Sequence, residues 1–190
     1  MSAHIAVYLR LPILIFTLLF ALPAQADVAV TFYSHDFGKN FPHAFFVVEG
    51  TLDSGEIIDT SYGFTAVNVT PALLWGSVLG HVETPKPDYI ASSNAHFSVV
   101  VDDDKYNELM ALVQEWRDAP QKSYNLNKRN CVHFASEAVA LLGYKFNAKT
   151  KNWKKPKSFM LEVQELNPDL QMANNGGARI TSRNYYNGAK

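Results

Sequence analysis

The stretch HAFFVVEGTLDSGEIIDTSY, residues 43–62, decides the fold class. β-branched and aromatic residues crowd its two ends, and between them Asp53-Ser54-Gly55 is a three-residue hairpin loop with Gly55 where positive φ is wanted. It reads as two antiparallel strands, His43 to Leu52 and Glu56 to Tyr62. With Leu52 facing Glu56 across the turn, the register sets Glu49 opposite Asp59 and His43 opposite Thr65. Asp59, Ser61 and Thr65 then share the face of His43. Upstream, Val28 to Tyr33 alternates as a further strand, and downstream His96 to Val101 is another.

Helical signals surround these strands. Thr70-Pro71 reads as an N-cap and first helical residue of a helix running to about Leu79 and stopping at Gly80. Pro85 and Pro87 keep the next stretch irregular or at a sheet edge. Asp102-Asp103-Asp104 caps a helix to about Arg117, on which Tyr106, Leu109, Val113 and Trp116 share one face. After a polar loop, Tyr124 to Asn130, a helix is expected from Cys131 to Leu142, ended by Gly143. Ser158 to Leu166 forms one more. The fold class is α+β: one domain over residues 27–170, an antiparallel sheet packed against helices. Residues 171–190, Asn- and Gly-rich from Asn174, are expected to be a disordered tail.

Composition agrees with a single packed core. The 190 residues are 47% hydrophobic and 18% charged with a formal net charge of −1, which excludes a disordered chain and argues against nucleic acid as a partner. One cysteine closes no intrachain disulfide. Residues 1–26 carry one charge, Arg10, then an apolar run from Leu11 to Pro23 and a small-x-small exit, Ala24-Gln25-Ala26. That is a signal peptide, predicting a periplasmic or secreted protein with no stable membrane insertion after cleavage. Between Lys145 and Lys157 lie six lysines and no carboxylate, with Phe146 and Trp153 interleaved. The segment is either a solvated connection or a contact for an anionic surface.

The candidate chemistry lies in residues 124–135, YNLNKRNCVHFA. Cys131 falls in the first turn of a helix capped by Asn130, where backbone N–H groups favour an anion, and Lys128 and Arg129 add positive charge. These conditions suit a thiolate. Cys131 also shares a face with Phe134, Ala135, Ala138 and Leu142, so an inert core cysteine is the competing reading. Of the six histidines, His133 points away from Cys131 on the same helix. His43, opening a strand after Pro42, is the best-placed base.

The order Pro42-His43-Ala44-Phe45, then strand and helix, then Tyr124-Asn125-Leu126 leading to Asn130-Cys131-Val132-His133-Phe134, resembles the circularly permuted papain-like proteins. That group holds permuted NlpC-type peptidases and lecithin retinol acyltransferase-like enzymes, and in it the histidine precedes the cysteine. The resemblance covers about residues 28–143. It implies a circularly permuted papain-like fold, Cys131 as nucleophile and His43 as its base, acting on an amide or ester carbonyl through a thioester.

Such sites add a polar residue that orients the histidine. Asp59, roughly 20 Å along the strand at about 3.3 Å per residue, is too far. Thr65 is the expected third residue, with Ser61 behind it. The backbone N–H of Cys131 is expected in the oxyanion hole, with Asn125 or Tyr124 as a further donor and Asn130 beside them. The leading function is an exported thiol hydrolase cleaving an amide in cell-wall peptide or another peptide. Acyl transfer or thioester hydrolysis on a lipid is the alternative, and a non-catalytic binding module with a buried cysteine is the second class. A metal site among His35, Asp36, His43, His81 and His96 lacks recognisable zinc spacings. No metal and no cofactor is expected.

Overall fold

The computed structural model describes residues 27–36, 38, 41–119 and 123–172. The predicted signal peptide and the tail beyond residue 172 lie outside the described residues.

Among the described residues six strands form one antiparallel sheet in the order β4-β3-β2-β1-β5-β6: β1 Val28–His35, β2 His43–Thr51, β3 Ile57–Ala66, β4 Gly80–Glu83, β5 Asn94–Val101 and β6 Gln171–Met172. The 43–62 hairpin has the register read from its turn. Glu49 pairs with Asp59 and Phe45 with Gly63, Leu52 N–H donates to Glu56 O at 2.9 Å, and Gly55 has φ 86°. β6 extends the fold two residues past the predicted domain boundary by pairing Met172 with Phe97.

Four helices complete the described fold: α1 Pro87–Ala91, α2 Asp103–Arg117, α3 Cys131–Leu141 and α4 Pro156–Leu166. α2 starts where its acidic run predicts, with the Asp102 carboxylate accepting from Lys105 N–H, and it buries Leu109, Val113 and Trp116. α3 is the buried helix. Phe134 stacks on Phe46 of β2 at 5.3 Å between centroids and tilts against Trp116 of α2 at 5.1 Å, tying sheet and helices into one core. Among the described residues no helix is long and apolar enough to cross a membrane.

Two expectations fail between residues 66 and 94. Only a 3-10 turn, Pro71–Leu74, forms in place of a helix to Leu79. The chain leaves it because Val78 exchanges both backbone hydrogen bonds with Tyr124, at 2.9 and 3.0 Å, and because Gly80–Glu83 pairs with β3. The stretch after Pro85 is not irregular throughout, since Pro87 occupies the first turn of α1. α1 folds over the sheet face carrying His35 and Phe45, with the Tyr89 ring 4.2 Å from His35 and 5.7 Å from Phe45.

Candidate active site

Cys131 is the first residue of α3, and its place is set by the residue before it. The Asn130 Oδ1 accepts the N–H groups of Val132 at 2.9 Å and His133 at 3.2 Å, leaving the N–H of Cys131 to be turned to another partner. The Asn130 amide nitrogen donates to Leu126 O and Trp153 O, each at 2.8 Å. One buried side chain therefore pins the helix start, the preceding loop and the lysine-rich segment together. Arg129 adds a second anchor, its guanidinium 3.7 Å above the Trp116 ring.

His43 is the first residue of β2, 5% exposed, and its ring meets Cys131 on one side and Glu83 on the other. Nε2 stands 3.2 Å from Glu83 Oε1, an ion-pair distance, although off the axis of a straight hydrogen bond. A proton belongs on the nitrogen facing a carboxylate, so Nε2 carries one. Burial pushes the His43 pKa down. Close contact with Cys131 and Glu83, and the electrostatic pull of both, override it and lift the value from 6.5 to about 9. Burial raises the Glu83 carboxyl, but His43 outweighs it and the net shift is downward.

The ring reaches Glu83 only because Gly63 has no side chain. Gly63 pairs with Phe45 on one side and Glu83 on the other, and a Cβ there would fall 2.3 Å from His43 Nε2. The imidazole lies across β3 in the slot that this glycine leaves.

No protein-family model, curated protein or solved structure matches this chain.

Two cavities flank the Cys131–His43 pair, separated by Phe41, Pro42 and Tyr124, which line both. The larger, about 440 Å³, opens on the histidine side over Glu83, Lys86 and Tyr89, with Val67, Val69 and Leu73 as its apolar wall. The smaller, about 110 Å³, opens on Cys131 with Trp153 and Lys154 at its rim. Cys131 is 4% exposed and belongs to the buried core, and it also lines that cavity.

The sequence-predicted residues divide sharply. Cys131 and His43 meet. Thr65 lies on the wall of the larger cavity, paired across strands with His81, while Glu83 is the residue at the His43 ring. Ser61 donates its hydroxyl to Pro85 O at 3.1 Å and is occupied there. Asn125 shapes the loop, its Oδ1 accepting from Asn127 and Lys128 N–H and its Nδ2 donating to Ser77 Oγ. Asn130 is consumed by the cap. The Tyr124 backbone is paired with Val78, but its ring borders both cavities. Burial, then the field of Cys131, raises the Tyr124 phenol, so its hydroxyl remains a donor. Tyr89 has the same character, raised by burial, then Glu83, then Cys131.

Glu83 and Gly63 are the residues that sequence reasoning missed. A glycine between Tyr62 and Phe64 in a strand of bulky residues is itself a signal for a close approach. Of the other histidines, His96 hydrogen-bonds Ser34 Oγ at 2.8 Å, His35 bonds Ser93 Oγ at 3.0 Å, and His81 lines the larger cavity with His43 and helps to lower the Glu83 carboxyl. Among the described residues no group of three or more His, Cys, Asp or Glu is placed to hold a metal ion.

Proposed function

We propose that the chain is an exported thiol hydrolase of the circularly permuted papain-like kind, with Cys131 as nucleophile, His43 as base and Glu83 as the group that orients and charges the histidine. The observation that carries the reading is the His43 ring held between the Cys131 thiol and the Glu83 carboxylate. Because His43 keeps its proton at neutral pH, the thiol proton already rests on the imidazole, and Sγ attacks the carbonyl carbon of an amide as the thiolate of a Cys131–His43 ion pair. The oxyanion is met by the Cys131 N–H at the helix start and by a phenol donor from the cleft wall, Tyr124 or Tyr89. Collapse of the tetrahedral adduct breaks the C–N bond, and the imidazolium returns its proton to the leaving amine. Water, deprotonated by His43, then hydrolyses the thioester, releasing the acid and the free thiol.

The leading substrate is a peptide amide, cell-wall peptide first, which fits a protein that the 1–26 segment directs out of the cytoplasm. A lipid ester is the second reading, and one observation favours it: the wall of the larger cavity facing His43 is formed by Val67, Val69 and Leu73. Both substrates pass through the same thioester.

The experiment is alkylation with iodoacetamide at neutral pH followed by assay of Cys131→Ala and His43→Ala. Modification of Cys131 in the folded protein, with loss of roughly 10³-fold or more in turnover of peptidoglycan fragments in both variants, is the expected result. A thiol inert to the reagent would leave a non-catalytic binding module. Acylation by a lipid-ester probe with no action on peptides would select the second reading.

A further inference from the structure

The segment from Phe64 to Gly80, FTAVNVTPALLWGSVLG, contains no charged residue, and the proposed catalytic chemistry uses none of its tip. Its base is fixed: Val67 N–H donates to Leu79 O at 2.9 Å, Val78 is bridged to Tyr124, and Leu73 is buried at 5% exposure inside the 3-10 turn. The side chains that follow Leu73 are thrown outward. Leu74 is 68% and Trp75 86% exposed, and Val67, Val69 and Leu79 are also exposed. An anchored turn thus holds large apolar side chains in water, which costs free energy unless something covers them.

Three exposed lysines are linked to the segment that carries this tip. Lys86 lines the larger cavity with Val67 and Val69. Ser77 Oγ accepts from Asn125 Nδ2 at 3.1 Å, joining the tip to the loop that carries exposed Lys128, and Asn127 of that loop accepts from Lys154 Nζ at 3.0 Å. A convex tip ending in leucine and tryptophan suits a fluid medium that closes round it. Tryptophan prefers the membrane–water interface, and lysines set behind such a tip meet anionic headgroups.

We propose that Leu74 and Trp75 dock the protein peripherally on an anionic phospholipid bilayer, with Lys86, Lys128 and Lys154 against the headgroups, so that the larger cavity opens at the lipid surface. The docking goes beyond the hydrolase reading and stands without it, since it needs neither Cys131 nor His43.

The test is co-sedimentation of the full chain with vesicles of phosphatidylglycerol and phosphatidylethanolamine, beside vesicles of phosphatidylcholine alone. A Leu74→Ser/Trp75→Ser variant is compared in the same chain, so that any affinity contributed by residues 1–26 cancels. The expected result is binding that favours phosphatidylglycerol and weakens with salt, and that falls about tenfold or more in the double variant. Bromine-labelled acyl chains should quench a fluorescence component that Trp75→Phe removes, with the emission of buried Trp116 and half-buried Trp153 retained in that variant as the background. Both substituted side chains are exposed, so circular dichroism should show the fold intact. Equal binding by wild type and the double variant, or no binding by either, overturns the proposal. So does a wild-type dimer that the double variant converts to monomer, because the tip would then be covered by a second copy.

Discussion

Glu83 Oε1 stands 3.2 Å from His43 Nε2 although β3 lies between the strands that carry them. The pair is made across a sheet, through the space over Gly63, and puts Glu83 at the ring where Thr65 was expected as the third residue. Its consequence is electrostatic. His43 is lifted from 6.5 to about 9, so in the folded state it holds a proton that the unfolded chain releases at lower pH. That contribution to stability is complete below about pH 6.5 and is lost as pH rises through about 9. Glu83→Gln removes one of the two groups that raise the value. Urea midpoints measured across this window should fall less steeply in the variant, and the His43 Cε1 proton resonance should titrate at lower pH. Turnover should drop roughly 10²- to 10⁴-fold, because an amide can hold the wrong tautomer.

Thr65→Val separates the two candidates for the third position. Thr65 borders the larger cavity but does not hold the ring, so the expectation is turnover within about threefold of wild type, against the large loss for Glu83→Gln. Steady-state rates on the same peptide substrate decide between them. A Thr65→Val loss as large as that of Glu83→Gln would restore the hairpin residue to the site.

The contrast between Thr65 and Glu83 also marks how far the sequence could be read. Signals that act within a turn or a helix were legible. Asp53-Ser54-Gly55 fixed a register that holds from Phe45 to Thr51, and Asn130 before Cys131 marked a helix start that the cap confirms. Glu83 is different in kind. β4 has four residues, too few for alternation to show, and the preceding Thr70-Pro71 imitates a longer helix start than the 3-10 turn it makes. α1 is shorter than two turns, so the arrival of Tyr89 over His35 and Phe45 is a tertiary event with no local pattern. The nucleophile's position was local, and its histidine's partner was not.

Asn130 should prove to be a positioning residue that acts through the fold. Asn130→Ala removes the acceptor for two helix N–H groups and the donor for Leu126 O and Trp153 O, and should cost about 2 kcal/mol or more in chemical denaturation. Asn130→Asp retains the helix cap but sets a carboxylate oxygen against those two carbonyls. It should recover part of the stability and leave the loop before Cys131 displaced. A slower alkylation of Cys131 in Asn130→Asp than in wild type, with the helix content preserved by circular dichroism, is the readout that a purely global effect would not give.

Gly63→Ala is the sharpest test of the site because it adds one methyl group and changes no charge. The new Cβ would lie 2.3 Å from His43 Nε2 and 3.1 Å from both His43 Cε1 and Phe45 Cβ, so the ring or the strand has to move. β3 is paired on both sides, to β2 and to β4, and the sheet resists a shift of the backbone. The imidazole is the freer partner, because its bond rotations cost less than breaking two ladders. Overpacking of this kind should cost about 1–3 kcal/mol in stability, and the displaced ring should lose Glu83 and Cys131 together. Turnover should therefore fall about 10²-fold or more while the protein remains folded at room temperature. The His43 pKa should drop from about 9 toward its ordinary value, since both groups that raise it are left behind. If Gly63→Ala is folded, active and unchanged in its histidine titration, the His43 ring does not occupy the slot over β3 and the role given to Glu83 fails with it.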